Sequence, residues 1–78
     1  MQLSKAIQKR IINLCKEQNI TLNKLATNSG LSYSTVFSIF YVKSNSPKLA
    51  TILHICEGFG ITLGEFFTDS TFDTAEQD

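Results

Sequence analysis

Gly30 restricts the architecture of this chain more than any other residue. It separates residues 21–29 (TLNKLATNS) from residues 31–41 (LSYSTVFSIFY), two segments of helical period, each too short to be stable alone. Glycine enters the left-handed region without a Cβ penalty, so it stops one helix and turns the chain sharply into the next. In the first segment Leu22, Leu25 and Ala26 fall at the spacing of one buried face, and the Thr21 hydroxyl is placed to cap it. In the second, Ser32 is the cap, and Val36, Ile39 and Phe40 form the apolar stripe. Ala26 lacks the bulk to hold the second helix away. The pair reads as short helix, tight turn, short helix, and it needs further helices to cover its apolar faces.

The second helix of the pair has another face. At ~100° per residue, Tyr33, Ser34, Phe37, Ser38 and Tyr41 gather opposite Val36 and Ile39. That side carries hydroxyls and rings but no carboxylate. An ordinary hairpin in a small helical bundle has the same layout, but its solvated face normally mixes Glu with Lys. A face without negative charge suits a polyanion.

Charge points the same way. The formal net charge is zero, yet all seven basic residues (Lys5, Lys9, Arg10, Lys16, Lys24, Lys43, Lys48) lie in residues 1–48, opposed only by Glu17. Residues 49–78 hold Glu57, Glu65, Asp69, Asp73, Glu76 and Asp78 and no base. The split suggests an anionic partner on the first part and a repelled tail on the last.

Seventy-eight residues make one domain, and 42% hydrophobic content with little Pro or Gly indicates a folded chain. No signal peptide is evident and no apolar run approaches the ~20 residues that span a bilayer, so a cytoplasmic location and no membrane partner are expected. Cys15 and Cys56 fall at apolar helix positions and read as buried thiols. With His54 they lack the close pairing of a zinc site. There is no phosphate-cradling glycine loop, metal motif or paired-carboxylate arrangement, so no enzyme activity, cofactor, metal or small-molecule ligand is expected.

In chain order, a first helix is predicted over 3–18 on Leu3, Ile7, Ile11, Leu14 and Cys15, with Ser4 as its cap and Ile12 outside the stripe. Ile20 plugs the turn beneath the next helix. Helices at about 22–29 and 33–41 follow, then a loop over 42–47. Ser46 and Pro47 predict the start of a fourth helix, 47–58, on Leu49, Ile52, Ile55, Cys56 and Phe59, widened by Leu53 and broken by Gly58 and Gly60. Thr62 caps a fifth over 63–67, where Phe66 and Phe67 close the core. The domain is expected to end at residue 67, and 68–78 to be a mobile acidic tail. Folding of that tail over Lys43 and Lys48 would compete with an anionic partner. Ile12, Phe66, Phe67 and Phe72 are the candidates for a dimer contact.

T-L-N-K-L-A with G-L-S-Y-S-T-V, then K-S-N-S-P-K-L-A-T-I, then I-C-E-G-F-G-I-T-L-G-E-F-F, in that order and spacing, resemble the phage-repressor (Cro/CI-like, XRE) helix-turn-helix family over about residues 20–67. The resemblance implies an all-α, compact five-helix, lambda-repressor-like DNA-binding domain with the helix-turn-helix at helices 2 and 3. It also implies a transcriptional regulator that binds double-stranded operator DNA, commonly as a homodimer. Helix 3 would be the recognition helix, with Tyr33 and Ser34 at the base edges, Phe37 and Ser38 one turn further, and Tyr41 reaching base or phosphate. Ser32 and Thr35 would lie beside them near a phosphate. Thr21 and Asn23 open the helix that crosses the backbone, and Lys43 and Asn45 would grip the same strand.

The chain departs from the family pattern at four places. Phe37 stands where a small or polar reader is common, Tyr41 where Asn or another polar residue is frequent, and Leu22 in place of a frequent Gln. Val42 replaces the usual left-handed glycine, which predicts a third helix that runs on or ends without that cap. An alternative reading makes the chain a protein-interaction or dimerisation module, with Phe37, Tyr41 and Val42 as an exposed apolar patch.

Overall fold

The computed structural model describes residues 1–41 and 47–77. The first helix, α1 (Leu3–Gln18), forms where the spacing predicts it, and Ile7, Ile11, Leu14 and Cys15 are buried along its stripe together with Ala6. Ser4 does not cap it. The cap position is Gln2, without a side-chain bond, and Ser4 is buried inside the first turn. The other end uses Asn19 in the left-handed conformation (φ 56°), with the Ile20 N–H returning to the Cys15 carbonyl at 3.0 Å. Asparagine tolerates that region better than any other non-glycine residue, so it ends a helix much as glycine does.

Next come α2 (Leu22–Ser29) and α3 (Tyr33–Tyr41), joined through Gly30 at φ 68°, with the Leu31 N–H bonded to the Ala26 carbonyl at 3.0 Å. Leu25, Ala26, Val36 and Ile39 are buried, and Leu22, Leu31 and Phe40 pack half-buried around them. The absence of a left-handed cap, predicted from Val42, concerns a position outside the described residues, as does the Ser46 cap.

The fourth helix, α4 (Leu49–Phe59), begins two residues later than predicted, after Lys48 in extended conformation. Pro47 fixes only its own φ and does not force a helix to start. Gly58 does not break this helix. It lies within it, where a Cβ would stand 2.1 Å from Ser29 Oγ and 3.0 Å from Ser29 N, so its lack of a side chain is what lets α2 and α4 close. Gly60 (φ 75°) is the true stop. Ile52, Ile55, Cys56 and Phe59 are buried against α2, whereas Leu49 (64% exposed) and Leu53 (44%) fall on one flank of that arc and stay outside the core.

The last α-helix, α5 (Leu63–Phe67), is capped by Thr62 and closes the core with the fully buried Phe66, which removes that residue from the candidate dimer contacts. After it, Asp69 caps a turn of 3-10 helix (Ser70–Phe72) that lies against α1, and Phe72 packs on Phe66 and Phe67 at ring distances of 5.8 and 5.0 Å. Glu76 pairs with the start of the chain through its N–H to the Met1 carbonyl (2.9 Å) and its carbonyl to the Leu3 N–H (2.7 Å).

Polar side chains of α1 fasten the other helices. Gln8 donates to the Ile39 carbonyl at 2.9 Å, Gln18 to the Phe59 carbonyl at 2.8 Å, and Arg10 to the carbonyls of Phe66 (2.8 Å) and Glu65 (2.9 Å). Each ties down a carbonyl at or near the C-terminal end of its helix, groups that a helix leaves without internal partners. Arg10 also pairs with Asp69 at 3.2 Å. Its charge is therefore engaged inside the molecule and does not belong with the exposed lysines. The Asp69 carboxyl is held below the usual carboxylate range by hydrogen bonds from the Thr71 side chain and backbone, with Arg10 and Lys9 adding to the effect.

Candidate nucleic-acid interface

Two short helices start from nearly the same sequence and are finished differently. Into α2 the chain runs Asn-Ile-Thr-Leu-Asn-Lys-Leu, and into α5 Gly-Ile-Thr-Leu-Gly-Glu-Phe, each opening on a left-handed residue, Asn19 or Gly60. Thr21 accepts from the Lys24 N–H and Thr62 from the Glu65 N–H, both at 3.0 Å. In α5 the Glu65 carboxylate reaches back to the Thr62 N–H at 2.9 Å, completing a capping box. In α2 the equivalent place holds Lys24, and the first turn contains no acid. A cation there opposes the helix dipole and leaves the opening donors without a carboxylate. The start of α2 is thus left open to an anion supplied from elsewhere.

Tyr33 faces that start across an open cleft lined also by Thr21, Leu22 and Asn23. The turn and α3 are held by hydroxyls. Ser32 Oγ accepts from the Thr35 N–H at 3.2 Å and lies 2.8 Å from Thr35 Oγ1 and 3.1 Å from Ser34 Oγ. Ser38 donates to the Thr35 carbonyl at 2.8 Å. Thr35 is exposed.

The outer face of α3 is an aromatic ladder. Tyr33 and Phe37 approach at 5.3 Å between ring centroids, and Phe37 and Tyr41 stack at 4.0 Å with planes 16° apart. Val36 (0% exposed) and Ile39 (5%) anchor the opposite face, so the ladder is held outward. Tyr33, Ser34, Phe37, Ser38 and Tyr41 all lie exposed on this surface, and Ser32 adjoins them. The structure therefore brings nine of the sequence-predicted residues (Thr21, Asn23, Ser32, Tyr33, Ser34, Thr35, Phe37, Ser38, Tyr41) onto the adjoining exposed parts of α2 and α3. Lys43 and Asn45 lie outside the described residues. Lys24, exposed on the same surface, is a further candidate whose signal in the sequence is the contrast of T-L-N-K with T-L-G-E, one motif with opposite charges.

The remaining reactive groups lie elsewhere. Burial pushes the Cys15 and Cys56 thiols above their ordinary pKa, which makes them poor nucleophiles. His54 is exposed on α4, 3.5 Å from Glu57. Among the described residues, no group of three or more His, Cys, Asp or Glu side chains is placed to hold a metal ion, and no helix is long and apolar enough to cross a membrane.

The family profile of the Cro/C1-type helix-turn-helix DNA-binding domain matches residues 10–71. A solved structure, the crystal structure of the prophage Lp1 protein 11, superposes with a TM-score of 0.82 at 30% identity, over 96% of this chain and 100% of that one. No curated protein matches the chain. A five-helix all-α fold with its helix-turn-helix at α2 and α3, matched by profile over most of its length, makes this chain a member of the Cro/C1-type helix-turn-helix family of DNA-binding transcriptional regulators.

Proposed function

We propose that the protein is a sequence-specific transcriptional regulator that lays α3 in the major groove of duplex operator DNA. The observation that carries this reading is the division of α3, with Val36 and Ile39 in the core and Tyr33, Ser34, Phe37, Ser38 and Tyr41 on an exposed face that has no carboxylate. The exposed Lys24 and the acid-free start of α2 support it, because a phosphate there would complete what Glu65 supplies to α5. Thr21 and Asn23 would hold that phosphate, Ser32 and Thr35 a neighbouring one, and Lys43 and Asn45 would follow the same strand. The helix-turn-helix supports a binding role rather than a catalytic one, and a regulator of this kind works inside the cell.

No Arg, Gln or Asn lies on α3, so the strongest bidentate contacts to bases are missing. Affinity of one protomer should be modest, and a homodimer spanning half-sites ~34 Å apart would supply the rest. Leu49 and Leu53, one turn apart and exposed on α4, are apolar surface that self-association would cover. They also favour the second reading, a protein-interaction module. Phe37→Ala and Tyr41→Ala separate the two readings: loss of self-association with DNA binding intact supports the module, and loss of DNA binding alone supports the regulator.

The test is selection of bound duplexes from a random pool, followed by titration at several salt concentrations. An enriched motif, repeated one helical turn apart and bound more weakly as salt rises, is the expected result. Failure to enrich any duplex, or binding indifferent to salt, refutes the reading.

A further inference from the structure

The exposed aromatic ladder makes a more specific demand on the DNA than a helix in a groove does. Phe37 is its centre, flanked by Tyr33 at 5.3 Å and by Tyr41 at 4.0 Å nearly parallel. Tyr41 stacks on one of its faces and Tyr33 stands tilted beside it, and 37% of Phe37 stays exposed. A base inserted between two rings would need roughly twice the 3.4 Å stacking distance, which the Phe37–Tyr41 pair does not leave. The ladder is therefore a poor platform for intercalated or single-stranded bases and a good apolar ridge.

The hydroxyls around it are partly committed. The Ser38 proton goes to the Thr35 carbonyl, and Ser32, Ser34 and Thr35 share hydrogen bonds among themselves. From residue 33 to 41 the helix has no charged or amide side chain. The phenol hydroxyls of Tyr33 and Tyr41 can still form hydrogen bonds, but Phe37, at the centre, discriminates only by contact with apolar groups. In the major groove only thymine presents one, its C5-methyl.

Resting on the reading that α3 enters the major groove, we propose that the Tyr33–Phe37–Tyr41 ladder is a methyl-reading surface, so that the preferred sites place thymine methyls against Phe37. Recognition at Phe37 comes from apolar contact rather than from hydrogen bonds to base edges. The three rings are already ordered against one another in the free protein, which lowers the entropic cost of presenting them.

The test uses the full chain and a duplex recovered from the random-pool selection, made once with thymine and once with deoxyuridine in its place. Deoxyuridine lacks only the methyl and keeps every base-pairing and groove hydrogen-bonding group. Loss of affinity by about fourfold for each methyl contacted is expected, the effect of burying one such group. Phe37→Ala, checked for native helicity by circular dichroism, should bind both duplexes more weakly than the unaltered protein and no longer distinguish them. Equal binding of both duplexes by the unaltered protein overturns the methyl reading and leaves the major-groove reading standing. Tighter binding to the thymine strand alone than to the duplex also overturns it, in favour of a stacking platform. If no duplex is enriched at all, both readings fall together.

Discussion

Lys24→Glu should stabilise the fold and impair DNA binding at once. The structure contains its own reference, because Thr62 and Glu65 show the completed box at the same motif. Glutamate at 24 would accept from the Thr21 N–H, a hydrogen bond with a net worth of about 1 kcal/mol at an exposed site. Replacing a cation with an anion in the first turn adds roughly 0.3–1 kcal/mol through the helix dipole, less at high salt. A gain of about 1–2 kcal/mol follows, readable as a higher urea midpoint with unchanged slope. Binding moves the other way, because a carboxylate then occupies the place proposed for a phosphate. Affinity for the selected duplex, followed by fluorescence anisotropy, should fall about tenfold or more at low salt. The dependence of log affinity on log salt should become shallower by about one per protomer. A variant that is more stable and binds DNA as before would refute the phosphate assignment. A less stable variant would refute the capping argument.

Gly58→Ala should destabilise by about 1–2 kcal/mol, although alanine is the better helix former by about 1 kcal/mol, because the new methyl meets Ser29. Ser29→Ala in the same chain should recover part of the loss, since the buried Ser29 hydroxyl has no hydrogen-bond partner among the described residues; a Gly58→Ala chain with a higher urea midpoint would contradict this packing. Arg10→Met keeps much of the side-chain volume but drops the bonds to Glu65 and Phe66. It should cost about 2–4 kcal/mol and speed amide exchange in α5, whereas a loss below about 0.5 kcal/mol would make the fork incidental. The depressed Asp69 carboxyl contributes stability that is present above its unfolded pKa and lost as pH falls through the folded value. Urea midpoints should therefore drop as pH falls below about 4. Asp69→Asn should be the weaker protein at neutral pH and lose its disadvantage at the acid end.

Local chemistry was legible in the sequence. Thr21, Gly30, Gly60 and Thr62 act through atoms within a few residues, so their types and order define the helix ends without knowledge of the fold. The apolar periods of α1, α2 and α3 likewise marked their buried faces. Long-range polar contacts were not legible. Gln8 and Arg10 flank the α1 stripe and Gln18 ends it, and as polar side chains all three look solvated; only the packed structure brings them to carbonyls 31, 56 and 41 residues away. Gly58 looked like a helix breaker because its reason lies across the α2–α4 contact. Leu49 and Leu53 fit the α4 period, but period alone does not tell how wide a strip the neighbouring helix covers. The exposed face of α3 was visible as a set of residues, and its stacking into a ladder was not.

The Gln8 bond to Ile39 has a consequence for how this molecule can change. A glutamine on the first helix steadies the last turn of the helix that carries Phe37 and Tyr41, so the aim of those rings is set from behind. Variation at Gln8 should alter which operators are preferred while leaving every exposed ring in place. A lineage could retune its target from the far side of the domain.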